Sequence, residues 1–247
     1  MTRVFVVLFL SLLGSSLYSQ AVRVGEFLHP PFADIDQQTK QAKGAEVELV
    51  KQVFLELGYR PVFVFVPFPR LLEELKRGEV DLAVSLMKTP ERAEFLFYSD
   101  TSNVLIRPVL VFRKDSPVQT IQSVSDIKGL RIGFVRGQAL PLFFDRQELY
   151  TLDLYSGPDP GLVNLNKLLV DHLDAALDLN LYNVESNLKK LGIADQVKIV
   201  RVPKSEIPCY LVVSKRFPGA LALLSKYNSL TKRKKYDLGA FVEAETK

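Results

Sequence analysis

A short phrase occurs twice in this chain. Val22-Arg-Val-Gly-Glu-Phe27 returns in the second half as Leu130-Arg-Ile-Gly-Phe-Val135. A second pair follows the same logic: Val80-Asp-Leu-Ala-Val84 and Leu173-Asp-Ala-Ala-Leu177 are apolar stretches that open on an Asp after a helix. Between such strands lie helical patterns. Ala45 to Leu57 carries Val47, Val50, Phe54 and Leu57 on one face, and Gly58 closes it. Strands alternating with helices of this length predict βαβ units and mostly parallel sheets. Their restart near residue 130 predicts two α/β halves, and the lack of a fixed short period excludes a solenoid. At 247 residues the chain is long enough for two lobes.

Extended segments near 104–113 and 207–213 are expected to join the halves. One lobe is expected to comprise residues 22–110 with 210–247, the other 111–209. Two lobes with two crossings enclose a cleft, and clefts at the C-terminal ends of parallel strands bind ligands. His29-Pro-Pro-Phe32 forms a rigid loop after the first strand. Val62 to Val66 is a strand. Pro67-Phe-Pro-Arg70 turns into a helix ended by Gly78, and Leu162 to Val170 is helical. A last amphipathic helix starts near Pro218.

Met1 to Ala21 reads as a cleavable signal peptide. Arg3 precedes an unbroken apolar run from Val4 to Leu13, and Ser19-Gln20-Ala21 has the small-x-small spacing of a cleavage site. The run is about half of the roughly twenty residues that span a bilayer. No Cys lies near the cut, so no lipoprotein anchor is expected, and the mature protein is expected in the periplasm. The lone Cys209 sits in an apolar stretch and is expected to be a buried, inert thiol. A net charge of +4, scattered along the chain, is too small to argue for a nucleic-acid partner, and none is expected.

The stretch from Ser85 to Arg92 carries the chemistry. An apolar strand runs into Thr89, an N-cap residue, and Pro90 stands at the first helical position. Free N–H groups of a first turn favour an anion, and Arg92 adds a forked, permanent cation. These residues fit either a carboxylate trap or a capped surface helix. Elsewhere the inventory lacks catalytic motifs. Neither His29 nor His172 has a partner at metal-ligand spacing, so no metal is expected. No phosphate loop, dinucleotide fingerprint or nucleophile elbow occurs, so no cofactor is expected. The residues left for the cleft are aromatic, polar or cationic: His29, Phe68, Arg70, Ser85, Lys88, Arg92, Arg136, Gln138 and Asp178. Arg70 fits equally as a solvated helix residue, and Asp178 as a structural one.

Taken in order, Val22-Arg-Val-Gly25, Pro31-Phe32, Gly44 to Gly58, Leu75 to Ala83, Thr89-Pro-Glu-Arg92, Phe97-Tyr-Ser-Asp100 and Asp126 to Gly133 resemble the family 3, amino-acid-type solute-binding proteins of ABC transporters. The resemblance implies the two-lobed type II periplasmic-binding-protein fold, closing on its ligand about two hinge crossings. It implies that Arg92 clamps a ligand carboxylate, with Ser85 beside it and His29 and Phe68 placed as rings over the ligand. It implies a monomer that binds a small carboxylate-bearing or zwitterionic solute and docks on a membrane permease or, alternatively, a sensor receptor. Met87 and Ala139 stand where the family commonly carries hydroxyls, and Leu179 where it carries an acid. Arg70 and Arg136 are expected to make the site more cationic, which suits a dicarboxylate or another organic acid. A dehydratase of cyclohexadienyl acids on the same fold is the enzymatic alternative. It would need Asp178 or Glu26 as its acid.

Overall fold

The computed structural model of the chain describes residues 20–234, 236, 238, 241 and 242. Most of the expected signal segment lies outside the described residues, but Gln20 and Ala21 already belong to the first strand. In chain order the elements are β1 (Gln20–Glu26), a small hairpin of β2 (Asp34–Ile35) and β3 (Ala42–Lys43), α1 (Ala45–Glu56), β4 (Tyr59–Phe65), α2 (Phe68–Arg77), β5 (Leu82–Met87), α3 (Pro90–Ala93), β6 (Leu96–Tyr98) and β7 (Val104–Ile106). The chain then passes to β8 (Val109–Arg113), β9 (Arg131–Val135), β10 (Thr151–Tyr155), α4 (Pro160–Leu169), β11 (Ala175–Asp178), α5 (Leu181–Leu191) and β12 (Val197–Arg201). It returns through β13 (Ile207–Ser214) to α6 (Ala220–Arg233).

These strands form two main sheets. The first has the order β4-β1-β5-β13-β6, with β7 also on β13; the second has the order β10-β9-β11-β8-β12. β1 is parallel to β4 and β5, and β9 is parallel to β10 and β11. β13 is antiparallel to β5, β6 and β7, and β8 is antiparallel to β11 and β12. The sheets are thus mixed rather than mostly parallel. β8 and β13 are the strands on which the chain crosses between sheets, so each enters its sheet against the direction of the βα strands. The stretch 104–113 is cut at Pro108, which has no N–H for a central ladder. β7 stays with the first sheet and β8 opens the second. The lobe boundaries expected near 110 and 210 therefore fall inside β8 and β13, and the crossings run through 107–108 and 202–206.

Each sheet is covered on both faces. Val22, Val24, Phe54 and Leu223 belong to the core on one side of the first sheet, and Leu71, Leu75, Val80 and Ala83 to the core on the other. Phe112, Ile132 and Phe134 face one core of the second sheet, and Val111, Leu165 and Leu168 the other.

The repeated phrase has a repeated job. Asp81 accepts from the Arg23 main-chain N–H at 2.7 Å and from its guanidinium at 3.2 and 2.6 Å. Asp174 accepts from the Arg131 N–H at 2.7 Å and from its guanidinium at 3.0 and 2.9 Å. In both lobes a strand Arg thus binds the Asp at the approach to the next parallel strand and sets their register. The glycine of each phrase permits close packing. A Cβ on Gly25 would lie 2.2 Å from Leu71 Cδ1, and one on Gly133 would lie 2.4 Å from Leu173 Cδ1.

Candidate functional site

The two lobes face each other across a cleft of about 790 Å³, measured to its open mouth. Its most distinctive wall is the end of β5 and the single turn of α3. The Thr89 hydroxyl accepts from the Arg92 N–H at 3.2 Å, with Pro90 at the first helical position. That cap holds the turn, but α3 has only four residues because β6 follows at once. The expected pull of a helix terminus on an anion is therefore small, and the guanidinium supplies the charge. Arg92 is only 5% exposed. Its Nη1 donates to Met87 O and its Nη2 reaches across the cleft to Gly137 O, both at 3.1 Å. Its Cζ stands 5.5 Å from the centroid of the Phe68 ring. Among the described residues no carboxylate pairs with it. Burial lowers its pKa, which marks a cation held out of water without a counter-charge.

Ser85 sits beside this group with a φ of 56°, a left-handed conformation inside a strand. Its hydroxyl accepts from Asn103 Nδ2 at 2.9 Å, which ties the kink to the segment before β7. Such strain is kept where surrounding structure over-determines it, often at functional sites. Aromatic rings form a second wall. Phe27 stacks on His29 at 4.1 Å between centroids, His29 stacks on Phe32 at 5.7 Å, and Phe68 meets Phe27 edge-on at 5.0 Å.

The opposite lobe contributes Asp178, the last residue of β11, with Gln138, Asn183 and the start of α4. Asp178 accepts from the Asn180 N–H at 2.9 Å and from the Asn183 amide. Burial pushes its carboxyl up to about 6, against the pull of those donors and of His29. Glu46 also lines the cleft, from the first turn of α1, and Glu26 lies buried behind it at the end of β1. Burial and the Glu46 charge hold the Glu26 carboxyl well above the usual carboxylate range.

Six of the nine expected ligand residues meet at this cleft: His29, Phe68, Ser85, Arg92, Gln138 and Asp178. Three lie outside it. Arg70 points to solvent, its side chain 66% exposed, and donates to Glu74 one turn on at 2.7 Å. Arg136 is exposed and donates to Leu154 O. Lys88 is exposed and stacks its ammonium over Tyr98, 5.5 Å from the ring centroid. Lys88 and Arg136 each stand one residue beyond a strand, after β5 and β9, and Arg70 stands on the solvent-facing side of α2. The expectation of a strongly cationic site thus gives way to one buried guanidinium facing several carboxyls. Asn180 is an N-cap, accepting from the Tyr182 N–H at 3.1 Å. Sequence reasoning missed Glu46 as a cleft residue. Its signal was an acid facing inward just after Gly44, where the Glu46 N–H also binds Phe32 O at 2.9 Å. Cys209 is buried against the cleft, its thiol pushed up to about 12 by burial, as suits an inert residue.

Comparison with known proteins follows this geometry. A segment of 98 residues is 38% identical to the arginine-binding extracellular protein ArtP of Bacillus subtilis (strain 168), covering 38% of this chain and 36% of that one. A mutant of ArgBP from T. maritima superposes with a TM-score of 0.74 at 21% identity, over 92% of this chain and 95% of its own. A histidine kinase sensor domain with similarity to periplasmic binding proteins superposes at 0.72 and 17% identity, over 92% and 94%. These structures share the two-lobed fold. The sequence profile of the bacterial extracellular solute-binding proteins, family 3, matches residues 23–241. With that match spanning nearly the whole described chain, the protein belongs to the bacterial extracellular solute-binding proteins of family 3.

Proposed function

We propose that this protein captures a small zwitterionic solute of the amino-acid type outside the cytoplasm and presents it to a membrane permease for import. The observation that carries the reading is Arg92, a buried guanidinium whose partners are two neutral carbonyls. A ligand carboxylate supplies the missing counter-charge with two parallel hydrogen bonds. Asp178, on the facing lobe, is the partner for the ligand ammonium. The rings of His29 and Phe68 enclose the apolar part, and Ser85 and Gln138 offer polar contacts. A dicarboxylate is disfavoured, because Asp178 and Glu46 would face its second charge. The residues before β1 serve as the export signal in this reading. The likeness of one segment to ArtP, which is named as arginine-binding, supports including cationic amino acids among the first solutes to try.

A thermal-shift panel of amino acids, dicarboxylates and short peptides tests the reading. Ligand at about 100-fold over Kd stabilises the folded state by about 2.7 kcal/mol. In a chain of this size that raises Tm by roughly 5–10 °C, at about 2–4 °C per kcal/mol. A response to one or more α-amino acids is expected. No response across the panel, or a response to dicarboxylates alone, refutes it.

A further inference from the structure

Behind the aromatic wall, Glu26, His29 and Glu46 each bring a ligand-type atom to one point, all within 4.8 Å of one another. They come from the end of β1, the loop after it and the first turn of α1, a spacing that no linear motif reveals. We propose that these three residues form a divalent-cation site, best matched to zinc, at the floor of the cleft.

Two observations outside the cluster's own contacts point to a ligand. His29 Nδ1 lies 2.7 Å from Phe27 O, and a carbonyl can only accept. The Nδ1 proton is therefore fixed outward, and Nε2 is the nitrogen turned toward the carboxylates. Metal-binding histidines are oriented in this way, by donating the far N–H to a carbonyl. Glu26 is only 2% exposed, and its Oε1 has no hydrogen-bond partner. A buried, unpaired carboxyl oxygen is costly unless something cationic reaches it.

The distances suit an ion. His29 Nε2 and Glu46 Oε2 stand 3.2 Å apart. A tetrahedral zinc with bonds of about 2.0–2.2 Å sets its ligand atoms about 3.4 Å from each other. The Glu26 oxygen, within 4.8 Å of the other two ligand atoms, has to close to that spacing. Imidazole nitrogen and carboxylate oxygen are both zinc ligands, and three protein ligands leave a fourth position open. His29 and Glu46 line the cleft while Glu26 does not, so the open position faces the cleft. Ligands bind a metal in their deprotonated form, so cation binding releases any proton they hold. The site stands whether or not the captured solute is an amino acid.

The test titrates zinc alone into chelator-treated protein by calorimetry at pH 7.5. The result expected is one equivalent per chain. Glu26→Gln and His29→Gln each lose about 100-fold or more in affinity, since even outer partners of a metal ligand are worth 10–100-fold. Glu48→Gln, on the same helix but paired with Lys51, binds zinc as the wild type does. Thermal unfolding of each variant shows whether it is folded. Cobalt(II) added to wild type gives a second readout, a visible absorption band that Glu26→Gln abolishes. Wild type that binds no zinc, or folded Glu26→Gln that binds it unchanged, overturns the proposal. So does a wild type without zinc affinity whose Glu26→Gln variant loses binding of arginine or lysine, since the cluster then holds the side chain of a cationic solute. The amino-acid response of the panel above is read separately, with chelator present.

Discussion

At the scale of single residues, the cleft is a problem in unbalanced charge. Arg92 is a cation without a counter-ion, while Asp178 is a carboxyl whose burial works against its charge. A zwitterion balances both at once. Because the ligand-free Asp178 carboxyl titrates near 6, it is neutral in mild acid and cannot attract an ammonium. Affinity for the responding amino acid is therefore expected to rise from pH 5 to pH 7, by up to about tenfold per unit below the midpoint. The pKa values of His29 and Glu26 are also raised, so Asp178→Asn isolates the effect: it weakens binding at pH 7 and flattens that rise. The stability of the ligand-free protein has the opposite sign. The folded state holds the Asp178 proton more tightly than the unfolded chain does. This contribution is present in full below the ordinary carboxylate range and is lost as pH rises through about 6. Calorimetric affinities at three pH values check the first expectation, and an unchanged slope in Asp178→Asn would refute the assignment.

At the scale of elements, the repeated Arg–Asp clamp is the device that spaces the parallel strands. The two copies differ in burial: Asp81 is buried, whereas Asp174 is partly exposed. Asp81→Ala leaves the Arg23 main-chain N–H without its acceptor and is expected to cost about 1–3 kcal/mol in urea unfolding. Asp174→Ala is expected to cost less, because water can replace the carboxylate. Equal, negligible losses would show that the clamp does not hold the strands. This repeat was legible in the sequence, as were the Thr89 cap, the Gly78 stop and the helices α1, α2 and α4. Each rests on local rules of period, cap and glycine. Three elements of the second lobe went unassigned. β10 and β12 are edge strands of five residues, too short for a period to speak, and the Asn180 cap of α5 is followed by neither a proline nor an acid that would mark a helix start. The outward course of Arg70, Arg136 and Lys88 was not legible either. Their side-chain directions are set by the strand ends and turns that carry them. The Glu26, His29 and Glu46 grouping depends on the start of α1 being held by the loop after β1, through Ala45 N–H to Pro31 O and Glu46 N–H to Phe32 O, which is a tertiary fact.

At the scale of the whole molecule, the cleft is bridged from lobe to lobe. Arg92 Nη2 meets Gly137 O, and Phe32 and Tyr182 face each other at 6.4 Å between ring centroids. The group proposed to bind the solute is thus also one that joins the lobes, so the proposed function predicts that capture and closure occur together. Among the described residues no helix is long and apolar enough to cross a membrane. The direct measurement is the calorimetric affinity of the amino acid that gives the largest thermal shift, for wild type and for folded Arg92→Ala. A desolvated ion pair to the ligand carboxylate predicts a loss of roughly 2–5 kcal/mol, about 30-fold or more in Kd. A variant that binds that amino acid as tightly as wild type would contradict the carboxylate clamp and the account built on it.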